Sequence, residues 1–344
     1  MMRRKTVVLL VAATGSVAGL LPRNASGSVI ASDPFLSYNT GSLSPQGQGT
    51  GWASNWTNVG QDGAHTTYVG TLNSTTYLDG QVGSANSAIS VSGVATSPAN
   101  ASVLTLNASS GTNSQDFRQF ETFGNGIGDP SGSNASVSNL YIGYIIDPLS
   151  TNTRGGGVEV DSGGIGGTGT VNGTGGSSDT NGSNGPSGQA IAFGQTSSGS
   201  TYGFAIDPPA TNSSTVTKSS TVSATENTPV YLVLGIENIN AGTSGTITAT
   251  IKLWVNPTTS SYGSPNVTDT GASMFQLNTD GLDTMRFYAG STSGNSFDFD
   301  DLTIGTTFAD VTMPEPGSAA MIAIACGGLL ARRRRFRLPL SARL

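Results

Sequence analysis

Between residues 88 and 305 the chain repeats one pattern: five to eleven residues rich in β-branched or aromatic side chains, then a cluster of Gly, Ser, Asn, Asp or Pro. The runs are Ala88 to Val94, Ala101 to Leu106, Ser114 to Thr122, Ser136 to Ile146, Ala190 to Gly194, Thr201 to Ile206, Pro229 to Ile236, Gly245 to Val255, Asp283 to Ala289 and Asn295 to Gly305. No helical periodicity separates them. So many short strands exceed a small barrel and predict two packed antiparallel sheets. The 48 glycines and the abundant Ser, Thr and Asn agree, because these residues disfavour helix interiors and favour turns. One stretch falls outside the pattern. Gly155 to Gly188 is so rich in Gly, Ser, Thr and Asn that it reads as a long loop, and its Gly-x-Gly patterns lack the strand-then-helix frame of a phosphate site.

Both ends differ from this body. Met1 to Lys5 is basic, Thr6 to Leu21 is apolar, and small residues follow at Ala25-Ser26-Gly27 and Val29-Ile30-Ala31, the layout of a secretory signal peptide. Cleavage after Gly27 or after Ala31 satisfies the small-residue rule; Gly27 is preferred because Ser28, Val29 and Ile30 then open the first strand. At the other end Met313-Pro314-Glu315-Pro316-Gly317 precedes an apolar run from Ser318 to Ala331, which stops at Arg332-Arg333-Arg334-Arg335. That run is shorter than the roughly 20 residues of a full membrane span, and the arginines would stay on the cytoplasmic side. Taken together the tail resembles the PEP-CTERM sorting signal of bacterial exported proteins. The resemblance implies a C-terminal hydrophobic helix held transiently in the inner membrane. It also implies an exosortase that recognises Pro314, Glu315 and Pro316 and removes the helix. Two departures are the short apolar run and the extension from Phe336 to Leu344. The expected organisation is a signal peptide over 1–27, a β-sandwich over 28–312 and a sorting signal over 313–344.

Removing both ends changes the charge. Only Arg118, Arg154, Lys218, Lys252 and Arg286 are basic in the body, against twenty acidic residues, so its net charge is about −15. Nucleic acid is excluded as a partner, since phosphate binding needs clustered Lys and Arg. Neutral polysaccharide or divalent cations fit better. The sole cysteine, Cys326, lies in the apolar tail, so the body has no disulfide.

Within the body, three clusters carry a second resemblance. Asp33-Pro34-Phe35-Leu36-Ser37-Tyr38 leads to Gly49-Thr50-Gly51-Trp52-Ala53-Ser54-Asn55-Trp56; Tyr231 to Ile236 leads to Ile251-Lys252-Leu253-Trp254-Val255-Asn256-Pro257; and the final run extends from Phe297 to Val311. Residues 32 to 311 resemble the concanavalin A-like jelly-roll domains, related to laminin-G modules, found in PEP-CTERM proteins. That resemblance implies a lectin-type or glucanase-type jelly-roll sandwich.

The laminarinase-like hydrolases on this architecture use Glu, Asp and Glu alternating along one strand. Here Glu159 and Asp161 stand two apart, on one strand face, but Gly163 occupies the place of the second glutamate. The pair a retaining mechanism needs is incomplete, and the acids read as solvated residues beside a glycine loop. His65, the sole histidine, reads as a loop residue and cannot build a His-rich metal site. Asp298, Asp300 and Asp301 are the densest acidic cluster. Alternation places Asp298 and Asp300 opposite Phe297 and Phe299, so a half-buried strand explains them, with calcium as the functional rival. Trp52 and Trp56, in a Gly-rich segment with Tyr68 and Tyr77 following, serve either to stack on sugar rings or to pack the core; Trp254 reads as core. The expectation is a non-catalytic exported β-sandwich at the cell surface or in the extracellular matrix that binds glycan. The alternatives are a divergent glycoside hydrolase and a scaffold without ligand.

Overall fold

A computed structural model of the chain describes residues 27–35, 38–39, 41–43, 46–56, 81–82, 91, 103–107, 114–121, 126–128, 134, 136–150, 155–162, 190–196, 201–207, 216–241, 247–257, 263–270, 274–275, 281–290 and 295–312. In chain order the strands are β1 (Val29–Asp33), β2 (Gly41–Ser42), β3 (Gln81–Val82), β4 (Leu104–Asn107), β5 (Ser114–Gln119), β6 (Asn139–Pro148), β7 (Gly156–Ser162) and β8 (Ala190–Gln195). There follow β9 (Thr201–Asp207), β10 (Val216–Ser223), β11 (Val230–Ala241), β12 (Ile247–Val255), β13 (Val267–Asp269), β14 (Met274–Phe275), β15 (Leu282–Ala289), β16 (Ser296–Gly305) and a short helix, α1 (Phe308–Thr312).

They form two antiparallel sheets. The larger runs β13-β12-β11-β6-β16-β4-β3-β2, with β1 also on β16 and β14 on β12; the smaller runs β10-β9-β8-β7-β15-β5. This is the two-sheet sandwich expected from the strand spacing. Their facing sides share one core, built from Leu140, Ile142, Tyr144 and Ile146 of β6, Leu232, Leu234 and Ile236 of β11, Val158 and Val160 of β7, and Met285 and Phe287 of β15. The larger sheet is covered on its other side too. There Tyr141, Ile145, Tyr231, Val233 and Trp254 pack with Phe308 and Val311 of α1. Two buried faces explain why β11 reads as a continuous apolar run and not as an alternation. Trp254 belongs to this second core, at 3% exposure, as expected of it.

Gly143 and Gly235 make room for these aromatics. A Cβ on Gly143 would meet the Tyr231 hydroxyl, and one on Gly235 would meet the Trp254 and Tyr141 rings. The Tyr231 hydroxyl donates to the carbonyl of Val311, tying α1 to the sheet. Thr307 and Asp310 cap α1 reciprocally: the Thr307 N–H donates to Asp310 Oδ2 at 2.8 Å and the Asp310 N–H to Thr307 Oγ1 at 3.3 Å.

Two of the longer strands depart from the sequence reading, and the short β2, β3, β13 and β14 have no counterpart in it. Residues 156–162, placed in the glycine-rich loop, form β7, because Val158 and Val160 face the core and reward extended pairing with β8 and β15. Residues 216–223, given no element, form β10 on the edge of the smaller sheet. Of the run Ala88 to Val94 only Val91 is described. The remainder of the glycine-rich stretch, the expected signal peptide before Gly27 and the tail from Met313, with Pro314, Glu315, Pro316 and Arg332 to Arg335, lie outside the described residues. Among the described residues no helix is long and apolar enough to cross a membrane.

Candidate functional site

Strand register gathers the charged residues into two separate clusters. The first lies between the sheets. Arg118 of β5 pairs with Met285 and so points inward, where its Nη1 meets Asp33 Oδ2 at 2.5 Å. The same oxygen accepts from the Tyr38 hydroxyl at 2.5 Å and from Trp56 Nε1 at 3.0 Å. Arg118 also donates to the carbonyls of Gln48 (2.6 Å) and Ser54 (2.9 Å), and its guanidinium lies 4.4 Å from the Trp52 ring centre. Burial pushes the Asp33 carboxyl up, opposed by the bonds from Tyr38, Arg118 and Trp56. The charges are thus compensated on all sides, as a buried ion pair requires.

This cluster corrects the reading of Trp56 as a sugar platform. Its exposure is 0% and its ring packs on Phe35 and Phe287, so no face is available to a ligand. Trp52 is only partly buried, donates through Nε1 to the Ser32 carbonyl at 2.9 Å, and is engaged by Arg118. The Gly-rich segment therefore serves as a plug that carries two indoles to an arginine.

The second cluster lies on the smaller sheet's outward face, opposite Val158, Val160, Met285 and Phe287. Arg286 and Glu159 are register partners on β15 and β7, and Arg286 Nη2 meets Glu159 Oε2 at 2.6 Å. Across the sheet Glu159 pairs with Ala192 and Ala192 with Ala205. One row along, Tyr288 pairs with Gly157, Gly157 with Gly194, and Gly194 with Gly203. The Arg286 guanidinium lies 5.6 Å from the Tyr288 ring centre. Beside the acid, base and phenol the β8 and β9 positions of these two rows are alanine and glycine, and all of them are buried. A Cβ on Gly157 would meet the Phe193 carbonyl, and Gly194 adopts φ 155°, so close backbone approach demands the glycines.

Glu159 corrects the reading of it as a solvated acid, since it is fully buried. Its Oε1 is also buried and has no hydrogen-bond partner, and such an acceptor costs on the order of 1–3 kcal/mol unless something satisfies it. The backbone of Asp161 lies in the next row, between Thr284 and Ala190; its side chain is outside the described residues. The sequence signal that could have found this cluster is Arg286, a lone base inside an apolar strand of a body with few bases.

The aspartates of β16 sit elsewhere. Phe297 and Phe299 join the main core as alternation predicts, and Asp298 turns to the larger sheet's other face, where it accepts from Thr105 Oγ1 at 2.5 Å. Asp301, at φ 54°, marks a register shift where the neighbour of β16 changes from β4 to β1, and its N–H donates to Asp300 Oδ1 at 2.8 Å. Calcium coordination by Asp298, Asp300 and Asp301 is not what this geometry builds: among the described residues no three His, Cys, Asp or Glu side chains are placed to hold a metal ion. Asp298 instead faces Asp147 of β6 in direct register. Burial and then the Asp298 charge push the Asp147 carboxyl up to about 6. His65, Tyr68 and Tyr77 lie outside the described residues.

No family model matches the sequence, and no curated protein matches it. Solved structures similar to it include an endo-β-1,4-glucuronan lyase from the fungus Trichoderma reesei, at 13% identity and a TM-score of 0.42, covering 78% of this chain and 96% of that one. The globular domain of T. cruzi calreticulin has 11% identity and a TM-score of 0.37, covering 67% and 81%. A carbohydrate esterase from a Shiga toxin-encoding bacteriophage has 10% identity and a TM-score of 0.41, covering 81% and 99%. Likenesses this distant supply no argument about chemistry; the fold stands on the strand pairing itself.

Proposed function

We propose that the chain is an exported, non-catalytic β-sandwich protein of the cell surface or extracellular matrix that binds a neutral glycan at the partly buried Trp52. The observation that carries binding is the Trp52 indole, the one tryptophan of the Gly-rich segment that is only partly buried, held by its Nε1 bond to the Ser32 carbonyl and by the Arg118 guanidinium. A sugar ring would stack on the open side of that indole, beside the polar groups of its segment. The body's charge of about −15 opposes anionic polymers. Glu159 is committed to an ion pair with Arg286, which favours binding over hydrolysis.

Export rests on residue order at the two ends. The signal peptide directs secretion, and the apolar helix anchors the chain until an exosortase-type enzyme acts at Pro314, Glu315 and Pro316, with Arg332 to Arg335 on the cytoplasmic side.

A glycan array probed with the processed protein tests the binding. Trp52→Ala should abolish it while far-UV circular dichroism keeps the parent's sheet signal. Unchanged binding by the Trp52→Ala variant overturns the site. Release of reducing ends that depends on Glu159 establishes the hydrolase instead, and silence across the array leaves a scaffold. Peptide mass spectrometry of the surface fraction should find nothing beyond about Pro316; an intact peptide from Phe336 to Leu344 in that fraction would defeat the sorting proposal.

A further inference from the structure

The first strand leaves little freedom in where a leader can be removed. From Val29 to Asp33 it pairs with β16, through Val29↔Gly305, Ala31↔Ile304, Ser32↔Thr303 and Asp33↔Leu302. Ser28 extends the contact: its N–H donates to Thr306 Oγ1 at 3.1 Å, and its carbonyl accepts from the Thr306 N–H at 3.2 Å. Ala31 is fully buried in the main core, and Asp33 is the hub of the Arg118 cluster. A cut after Ala31 would take away the first three residues of β1 and start the chain beside that hub. A cut after Gly27 leaves every one of these contacts in place.

Gly27 itself lies against one acidic group, the Asp310 carboxylate. A Cβ there would meet both carboxylate oxygens of Asp310 and the Thr307 hydroxyl, so the backbone at this point runs directly past the Asp310 carboxylate. We propose that the leader is cut between Gly27 and Ser28 and that the α-ammonium so created closes onto Asp310, making the processed N terminus part of the fold. The inference rests on the export reading above.

The step is hydrolysis by one water. The C–N bond between Gly27 and Ser28 breaks, the water oxygen joins the Gly27 carbonyl carbon, and the resulting carboxylate departs with the leader. Ser28 keeps the nitrogen and takes both of the water's protons. The amide N–H that bonded Thr306 thereby becomes an ammonium with three donors, enough for the Thr306 hydroxyl and the Asp310 carboxylate together. Asp310 already caps α1 through Thr307, so the ammonium would join the N terminus to the helix from which the chain continues into the tail at Met313. Both terminal segments then leave the sandwich at one corner, and a chain anchored at each end can fold without being stretched.

N-terminal peptide mass spectrometry of protein collected outside the cell should find chains that begin at Ser28. Chains beginning at Ser32 overturn the inference, whereas recovery only of chains that retain Met1 to Lys5 refutes the export reading instead. The clasp has its own readout, in full-length processed protein. Beginning the chain at Ser26 moves the ammonium away and should lower the melting midpoint by about 2 °C, the scale of an exposed ion pair. In an Asp310→Asn background the same extension should change nothing. An equal drop in both backgrounds, or none in either, overturns the clasp.

Discussion

Replacing Asp147 with Asn should stabilise the protein near neutral pH and leave it unchanged in acid. Asp147 on β6 and Asp298 on β16 are direct register partners, and like charges so placed repel. Burial and the Asp298 charge raise the Asp147 carboxyl to about 6, from an ordinary value of 3.8. A carboxyl raised in this way binds its proton more tightly when folded than when unfolded. Its contribution to stability is therefore fully present below about pH 4 and is lost as pH rises through 6. At pH 7.5 the native state carries the full cost of an ionised, partly desolvated carboxylate.

The shift of about two units would be worth about 3 kcal/mol in a fully shielded group. Asp147 is only partly buried, so solvent screening reduces this to about 1.5 kcal/mol. In a domain of this size that corresponds to a midpoint higher by about 3–6 °C. Thermal melts followed by circular dichroism, parent against Asp147→Asn at pH 7.5 and pH 4, measure it. An equal gain at both pH values would show that the benefit is not electrostatic, and no gain at pH 7.5 would refute the burial argument. The double variant with Asp298→Asn should gain less than the two single changes added, because either one relieves the same repulsion.

Arg118→Met should cost about 3–5 kcal/mol in chemical denaturation, because it leaves the Asp33 carboxylate buried without its cation; a loss under 1 kcal/mol would mean that Tyr38 and Trp56 suffice. Gly143→Ala should cost about 1–3 kcal/mol by displacing the Tyr231 hydroxyl, and the loss should shrink when combined with Tyr231→Phe, a coupling read from the same denaturation curves.

How much of this was legible in the sequence depends on the distance over which each signal acts. Strand runs such as Asp283 to Ala289 and Asn295 to Gly305 were visible because alternation and turn residues are local properties, and β15 and β16 fall almost where those runs lie. β7 was hidden by its glycines, which look like loop until Gly157 is seen against Gly194 and Phe193 on the neighbouring strand. The helix α1 was hidden by its length, five residues being too few to show a period.

The charged clusters were illegible for a stricter reason. Asp33 and Arg118, or Glu159 and Arg286, become partners only through strand order and register, which no local pattern encodes. A one-residue slip of β15 against β7 would turn Arg286 into the core and Phe287 to the outward face. Packing and charge therefore enforce the same register: the slip would bury a guanidinium against Val158 and Val160, turn Met285 and Phe287 out of the core, and strip Glu159 of its counter-charge. The scarcity of basic residues sharpens this choice. Three of the five in the body, Arg118, Lys252 and Arg286, are held in ion pairs with Asp33, Glu237 and Glu159. With so few cations to place, the two fully buried pairings, Arg118 with Asp33 and Arg286 with Glu159, exclude alternative registers at a cost comparable to misplacing a large apolar side chain. The bases that look incidental in the sequence thus help to fix how its strands align.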